Sequence, residues 1–333
     1  MMNNFDKVVV SSRVRLARNF KGIPFPQRLN DVNARNLIIK AADNAATFQH
    51  DLLLMSEVNN IERLSLVERH LISIDLINHV DMGALILSKD ESISVMINEE
   101  DHIRAQCILK GMNLRECYKT IDKYDNALSN EMPIAYDSDF GYLTACLTNV
   151  GTGMRASAML FLPAITLSNV IENYVSHASR MGITVRGVYG ERSNPEGCMY
   201  QISNSKTIGL SEQNILDTVE EMVSELCAIE LGLRNEIYSK DKIKFEDKVY
   251  RAYGILANAR SLPSSEFMEI MSWLKFGIAM EIIDFKDLEL LDKMVIYAQP
   301  ANLCMLMNGE ELSPNERDFA RAKYVRDTLK RLK

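Results

Sequence analysis

The hydrophobic rhythm of the chain changes from strand-like to helix-like as it is read from end to end. Residues 8–10 are a short apolar run that passes into Ser11-Ser12-Arg13-Val14-Arg15. Here polar and apolar side chains alternate, so a strand is predicted with Arg13 and Arg15 on one face. Residues 31–49 have helical character, with Asn30 or Asp31 as the N-terminal cap. Residues 84–88 and 92–98 read as two short strands joined through a turn at Lys89-Asp90-Glu91. Residues 113–126 are polar and predict a helix, and 143–147 predict a strand. Ser168 is placed to cap a helix running towards Gly182. Residues 183–189 and 199–202 predict two further strands, with a polar loop of 190–197 between them. From about Ser211 a long helix is predicted, because Ile215, Val219, Met222, Leu226 and Ile229 step by four and three and share one face. Beyond that only helical patterns occur, at 248–258, 264–283, 286–297 and 314 to the end.

Residues 238–246 carry Lys240, Asp241, Lys242 and Lys244 with few apolar neighbours, and a domain boundary is expected there. The layout is therefore an α+β domain over 1–243 and a smaller all-helical domain over 244–333. With 333 residues, 47% of them hydrophobic, there is enough chain for a sizeable core. The net charge of −7 argues against nucleic acid as a general partner, since a phosphate backbone asks for a basic footprint. The six cysteines, at 107, 117, 146, 198, 227 and 304, include no CxxC pair. Neither a zinc ribbon nor a disulfide framework is expected, and a reduced cytoplasmic setting fits. Residues 1–12 have no long apolar core of the signal-peptide kind. The longest apolar-looking stretch, 159–167, is too short to cross a bilayer, so no membrane partner is expected.

The chain has no GxxxxGK[ST] phosphate loop, and no glycine loop followed by HRD and DFG. A protein that handles ATP without them needs another phosphate grip, and arginine forks are the natural one. Arg13, Arg15, Arg104, Arg155 and Arg186 lie in segments suited to it; Arg155 follows the turn Asn149-Val150-Gly151-Thr152-Gly153. Taken singly, each reads as a surface salt bridge. Asn98-Glu99-Glu100-Asp101 reads singly as a solvated turn. It also supplies carboxylates of the kind needed to orient a guanidinium and take its proton.

Taken together, four blocks resemble the phosphagen (guanidino) kinase superfamily and, within it, the bacterial protein-arginine kinases. They are Ser11-Ser12-Arg13-Val14-Arg15-Leu16-Ala17-Arg18; Ile97-Asn98-Glu99-Glu100-Asp101-His102-Ile103-Arg104; Cys146-Leu147-Thr148-Asn149-Val150-Gly151-Thr152-Gly153-Met154-Arg155-Ala156-Ser157; and Arg186-Gly187-Val188-Tyr189-Gly190-Glu191. The resemblance implies an antiparallel sheet flanked by helices. It implies ATP with Mg2+ held mainly through phosphates and water, and no protein metal centre. The five arginines would grip the phosphates, and Ser11, Ser12, Val14, His70, Ala156, Ser157, Ala158, Met159, Gly187, Val188, Tyr189, Gly190 and Glu191 would complete the ATP site. Glu100 would be the main catalytic carboxylate, Glu191 the second, Cys146 the cysteine beside the guanidinium, and Asp101 an organiser through water on magnesium. Two positions depart from the family pattern: Leu147 stands where proline is usual, and Met159 where many small-guanidine kinases have histidine.

Small-guanidine kinases carry a helical domain before the block that contains Arg13, whereas twelve residues precede Arg13 here. By that comparison the site is expected to be open enough for an arginine on another protein. Arg317-Asp318-Phe319-Ala320-Arg321-Ala322 resembles the RDxxRA motif of protein-arginine kinases, which implies an allosteric phosphoarginine pocket; on a helix Arg317 and Arg321 share a face. The resemblance also implies a homodimer, an accessory activator and a Clp-type protease as partner, with marking of proteins for degradation under stress. The apolar set Phe267, Met268, Ile270, Met271, Trp273, Leu274 and Phe276 suits either a core or that dimer. Two other readings stand beside the leading one: a kinase of free arginine or another small guanidine, and a phosphoarginine-binding adaptor without catalysis.

Overall fold

A computed structural model describes residues 4–188, 196–285 and 288–332. Its first part is built on strands β1 (Val9–Arg18), β2 (His50–Leu54), β3 (Ala84–Ser88), β4 (Ile93–Ile97), β5 (Ile103–Lys110), β6 (Tyr136–Asp137), β7 (Gly141–Tyr142), β8 (Met154–Phe161), β9 (Ile183–Gly187) and β10 (Met199–Asn204). Eight of them form one sheet in the order β2-β3-β4-β5-β1-β8-β10-β9, with β6 and β7 as a separate hairpin. Every neighbouring pair in the large sheet is antiparallel. Helices α1 (Asp31–Asp43), α2 (Asn60–Glu68), α3 (Ile74–Ile77), α4 (Leu114–Glu131), α5 (Pro163–Leu167), α6 (Ile171–Arg180) and α7 (Glu212–Lys240) accompany the sheet. The helical C-terminal portion consists of α8 (Lys242–Asn258), α9 (Ser264–Ala279), α10 (Leu288–Tyr297), α11 (Pro300–Leu306) and α12 (Pro314–Leu332).

Alternation along the central strands separates two faces. In β1, Val14 and Leu16 are buried, and Val14 lies opposite Cys107 of β5 and Ala156 of β8. These small neighbours let α4 and α7 lie close against the sheet. Helix α4 buries Leu114, Cys117, Ile121 and Leu128 there, and α7 buries Ile215, Val219, Met222 and Leu226. Each such side chain contributes roughly 1.5–3 kcal/mol when fully buried. Helix α7 begins at Ser211, whose side chain forms a reciprocal capping box with Asn214. Its far end is fixed by a buried pair: Arg234 Nε donates to Glu230 Oε1 at 2.7 Å, and Glu230 accepts the backbone N–H groups of Ala164 and Ile165 at the start of α5. Removing either partner would strand the other charge in the core, at a cost of about 3–5 kcal/mol.

The chain turns sharply at Asp241 between α7 and α8, where Asp241 Oδ1 accepts from the Lys244 N–H. In the helical portion Phe267, Met268, Met271, Leu274 and Phe276 are buried, so most of that apolar set is interior. The portion is tied back to the sheet through Glu68 of α2. Its carboxylate accepts the backbone N–H groups of Ala301 and Asn302 and the Asn302 side-chain amide, at 2.8–2.9 Å.

Two expected elements differ. Residues 143–147 are not a strand; Leu143 N–H donates to Ala135 and the chain passes into a 3-10 turn, Leu147–Asn149. Ser168 does not cap the following helix but closes α5; Asn169 adopts φ 54° and breaks the chain, so α6 starts after Val170.

Candidate active site

The face of the sheet turned away from α4 and α7 is cationic. Arg15 of β1 lies directly opposite Arg155 of β8, and Arg13 opposite Ser157. On the other side of β1, Arg15 lies opposite Gln106, and Arg104 of β5 stands two residues further along the same face. Arg186 of β9 pairs with Gln201 of β10, which in turn faces Met159. The five expected arginines therefore reach one face from four strands. Their pKa shifts report the same crowding. Arg13 is pushed down to about 10 by burial, then by Arg155 and Arg104. Arg15 falls well below the usual arginine range through burial, then through Arg104, Arg13 and Arg155, with Glu99 opposing. Arg155 is lowered by burial, then by Arg186 and Arg104. Burying cations among cations is unfavourable unless an anion joins them, so this face is shaped for a polyanion. The Nε atoms of Arg104 and Arg155 are buried without a hydrogen-bond partner among the described residues.

At one end of the row lies the carboxylate segment, on the turn between β4 and β5. Asn98 adopts φ 57°, and its amide donates to the carbonyls of Ala34 and Met82, so the turn is held from both sides. Glu99 is fully buried and accepts hydrogen bonds from Arg104 Nη1 and Ser73 Oγ. Burial works to lower the Arg104 pKa, but Glu99, Glu100 and Asp101 leave it raised. Glu100 is half-exposed with Oε2 3.4 Å from Arg104 Nη1. Burial raises its pKa, opposed by Arg104 and reinforced by Asp101 and Glu99. Glu99 was not among the expected site residues. It positions Arg104, and the sequence offers no sign of which glutamate turns inward, because the positive φ at Asn98 interrupts the strand period.

Asp101 is buried, and its Oδ1 accepts from Asn19 Nδ2 at 2.6 Å and from the Ala145 N–H at 2.7 Å. It thereby fixes the segment that carries Cys146. Burial raises the Asp101 pKa, against the hydrogen bonds from Ala145 and Asn19. Cys146 is half-buried, with Sγ 3.0 Å from Thr148 Oγ1.

Beyond Arg13 the face opens into a cavity of about 350 Å³. Ser11, His70, Ser157, Met159, Val188 and Gln201 line its sheet side, and Met268, Met271 and Lys275 of α9 its far side. His70 adopts φ 61°, and burial, then Arg13, lowers its pKa to about 4. Four expected ATP-site residues are placed differently. Ser12, Val14, Ala156 and Ala158 are buried on the helix-bearing face, as strand alternation requires. Ser12 Oγ donates to the Gly111 carbonyl and accepts from Asn113 N–H. Gly187 is on edge strand β9, opposite Tyr200. Tyr189, Gly190 and Glu191 lie outside the described residues.

In α12 the two arginines of the RDxxRA segment stand in different surroundings. Arg321 is buried, and its Nε and Nη1 donate to the carbonyls of Ala298 and Leu262 and to Asp318 Oδ1, all at 2.7–2.8 Å. Ala322 is buried, whereas Phe319 is exposed and Arg317 and Ala320 are intermediate. Asp318 thus serves Arg321.

The family model for the ATP:guanido phosphotransferase C-terminal catalytic domain matches residues 34–233, and that for the protein-arginine kinase McsB C-terminal domain matches 242–333. The chain is 41% identical to a protein-arginine kinase of Caldanaerobacter subterraneus over 98% of its own length and 99% of that protein. It is 42% identical to one from Clostridium kluyveri (97% and 94%) and 39% identical to one from Bacillus subtilis (97% and 90%). Among solved structures it resembles a lombricine kinase with a TM-score of 0.61 at 22% identity, covering 69% of this chain and 68% of that one. It also resembles a duplicated taurocyamine kinase from Schistosoma mansoni, with a TM-score of 0.63 at 24% identity, covering 80% and 39%.

Proposed function

This chain belongs to the ATP:guanido phosphotransferase family, and we propose that it is a protein-arginine kinase, moving the γ-phosphoryl group of ATP to arginine side chains of other proteins. One observation carries the proposal: an arginine row with too little negative charge of its own runs directly into a carboxylate-bearing turn. Arg13, Arg15, Arg104, Arg155 and Arg186 hold the phosphates, and the base end of the nucleotide enters the cavity beside His70 and Met159. Glu99 keeps Arg104 extended across the sheet. Glu100, joined by Glu191, aligns the acceptor guanidinium, with Cys146 alongside.

An arginine side chain is always protonated near neutral pH and is a poor nucleophile in that state. A carboxylate with a raised pKa is suited to orient it and accept its proton. As the nitrogen–phosphorus bond forms, the bond from the γ-phosphorus to the bridging oxygen breaks, the electron pair leaves with ADP, and the guanidinium proton passes to Glu100. Fixed arginines offset charge as it redistributes over the phosphoryl oxygens. Magnesium suits this setting, being a hard ion that prefers oxygen donors and retains water. Asp101 Oδ2 is buried without a partner among the described residues, and a water carried by the ion would satisfy it. When bound, the ion adds neutralising charge on the phosphates.

A protein acceptor is supported by relatives named protein-arginine kinase along nearly their whole length. We take 1–243 as the catalytic domain and 244–333 as the helical domain, with RDxxRA as its phosphoarginine pocket. By the same kinship we also propose a homodimer, an accessory activator, a Clp-type protease partner and a cytoplasmic role in stress-linked degradation. Among the described residues no helix is long and apolar enough to cross a membrane. The test is incubation with ATP, magnesium and an unfolded protein, read by mass spectrometry for phosphoarginine. Acid-labile phosphate on free arginine alone would reverse the assignment in favour of a small-guanidine kinase.

A further inference from the structure

We infer that the loops beside Cys146 form an apolar platform for the polypeptide that flanks the target arginine, so that arginines next to large apolar residues are the favoured substrates. The inference rests on the proposed acceptor position between Glu100 and Cys146.

Leu147 directly follows Cys146 and is 86% exposed, the highest value among the large apolar side chains of the described residues. Tyr136 and Phe140 of the β6–β7 hairpin, and Ile208 and Leu210 of the loop after β10, are exposed as well. Single exposed apolar residues are ordinary. These five differ because their three loops are stitched into one body. Tyr142 N–H donates to the Gly151 carbonyl at 2.7 Å, and Gly151 N–H returns to Tyr142 at 3.3 Å. Thr207 Oγ1 donates to the carbonyls of Thr148 and Val150 at 3.0 and 2.7 Å, and its own carbonyl accepts from Thr152 N–H. The loops approach so closely that a Cβ on Gly151 would stand 2.4 Å from the Thr207 carbonyl oxygen, and one on Gly141 2.6 Å from that of Gly151. Asp101 then ties Ala145, and with it this body, to the carboxylate turn.

The platform is thus rigid, apolar and joined to the acceptor position. When a substrate arginine extends towards Glu100, its neighbours in an extended chain lie only about 3.3–3.6 Å per residue further along. They fall on the turn that presents Leu147. An unfolded substrate segment is the occupant, because backbone and side chains must both be free to lie over the loops. A leucine after the cysteine fits this role, offering a flexible apolar side chain.

The experiment compares two synthetic peptides of equal length and charge, one with leucine and phenylalanine beside a single arginine and one with serine and glycine. The expected kcat/KM ratio for the wild type is about tenfold in favour of the apolar flanks, the size of one partly buried aliphatic side chain. In Leu147→Ser/Ile208→Ser the ratio falls below about twofold, and Leu147→Met retains it. A wild-type ratio near one, or a ratio untouched by the double variant, would overturn the inference. So would a double variant that keeps the ratio but changes oligomeric state by light scattering, because the patch would then receive a second copy of this chain. Glu100→Gln separates the premise: it should phosphorylate both peptides at least about a hundredfold more slowly, and wild-type rates from it would overturn the acceptor position itself.

Discussion

Arg15 stands directly across the β1–β8 pairing from Arg155, two like charges at neighbouring positions in the centre of the sheet. Such a pair is destabilising in an empty site. Arg15→Ala should therefore raise the unfolding midpoint of the nucleotide-free protein slightly, by about 1–3 °C, while weakening ATP binding at least tenfold. Inorganic tripolyphosphate should stabilise the wild type, and much less in high salt. Differential scanning fluorimetry checks both; a variant less stable than wild type yet unaltered in ATP affinity would count against the phosphate grip.

Glu100→Gln should lower kcat by about 10²–10⁴, the range for a lost general base, with little change in ATP affinity. The variant keeps the hydrogen-bonding shape and loses the charge. Comparison of free arginine with an unfolded protein as acceptor, for wild type and variant, also decides between a kinase and a phosphoarginine-binding adaptor: equal rates for the two enzymes would favour the adaptor.

The acid limb of activity should follow Glu100. Its pKa is raised, the working form is the carboxylate, and activity is lost as pH falls through that raised value. His70 adds no limb near neutrality, since its pKa of about 4 keeps it uncharged there. The unfolded chain binds a proton at His70 below about pH 6.5, while the folded chain resists until about 4. Folding is thus weakened as pH drops across that interval, and His70→Gln should flatten that part of a pH–stability profile.

Glu68→Ala should destabilise the protein by about 2–4 kcal/mol, because three N–H donors of Ala301 and Asn302 lose a charged acceptor. The loss should be read by urea unfolding with a tryptophan signal from Trp273, which belongs to the helical portion.

Arg321→Ala and Arg317→Ala should part ways. Arg321 satisfies two backbone carbonyls in the interior, so its loss should lower stability by about 2–3 kcal/mol. Arg317→Ala should leave stability and ATP affinity intact and blunt any activation by phosphoarginine. A large loss of ATP affinity on Arg317→Ala would argue that the two sites are not separate.

Several elements were legible because one face meets water or charge and the other meets core. The β1 alternation and the apolar stripe of α7 belong to this class, whereas the β3–β4 hairpin, buried on both faces, was read from its β-prone runs and the turn between them. Strand β8 escaped notice: Arg155 and Ser157 interrupt its short apolar residues, and it follows directly on a glycine-containing turn. The arginines were legible through the family blocks that carry them, but the division of labour between Glu99 and Glu100 was not. It is decided by Ser73 and Arg104, which approach from outside the turn. Glu68 was equally opaque, since its partners lie more than 230 positions away in the chain.

The irregular register between Val9 and Ser11 sets the phase of everything downstream in β1. One residue inserted after it would rotate the strand half a turn, sinking Arg13 and Arg15 into the hydrocarbon beneath α4 and lifting Val14 and Leu16 to where phosphate should lie. A single codon gained within that strand would therefore erase enzyme and fold at one stroke.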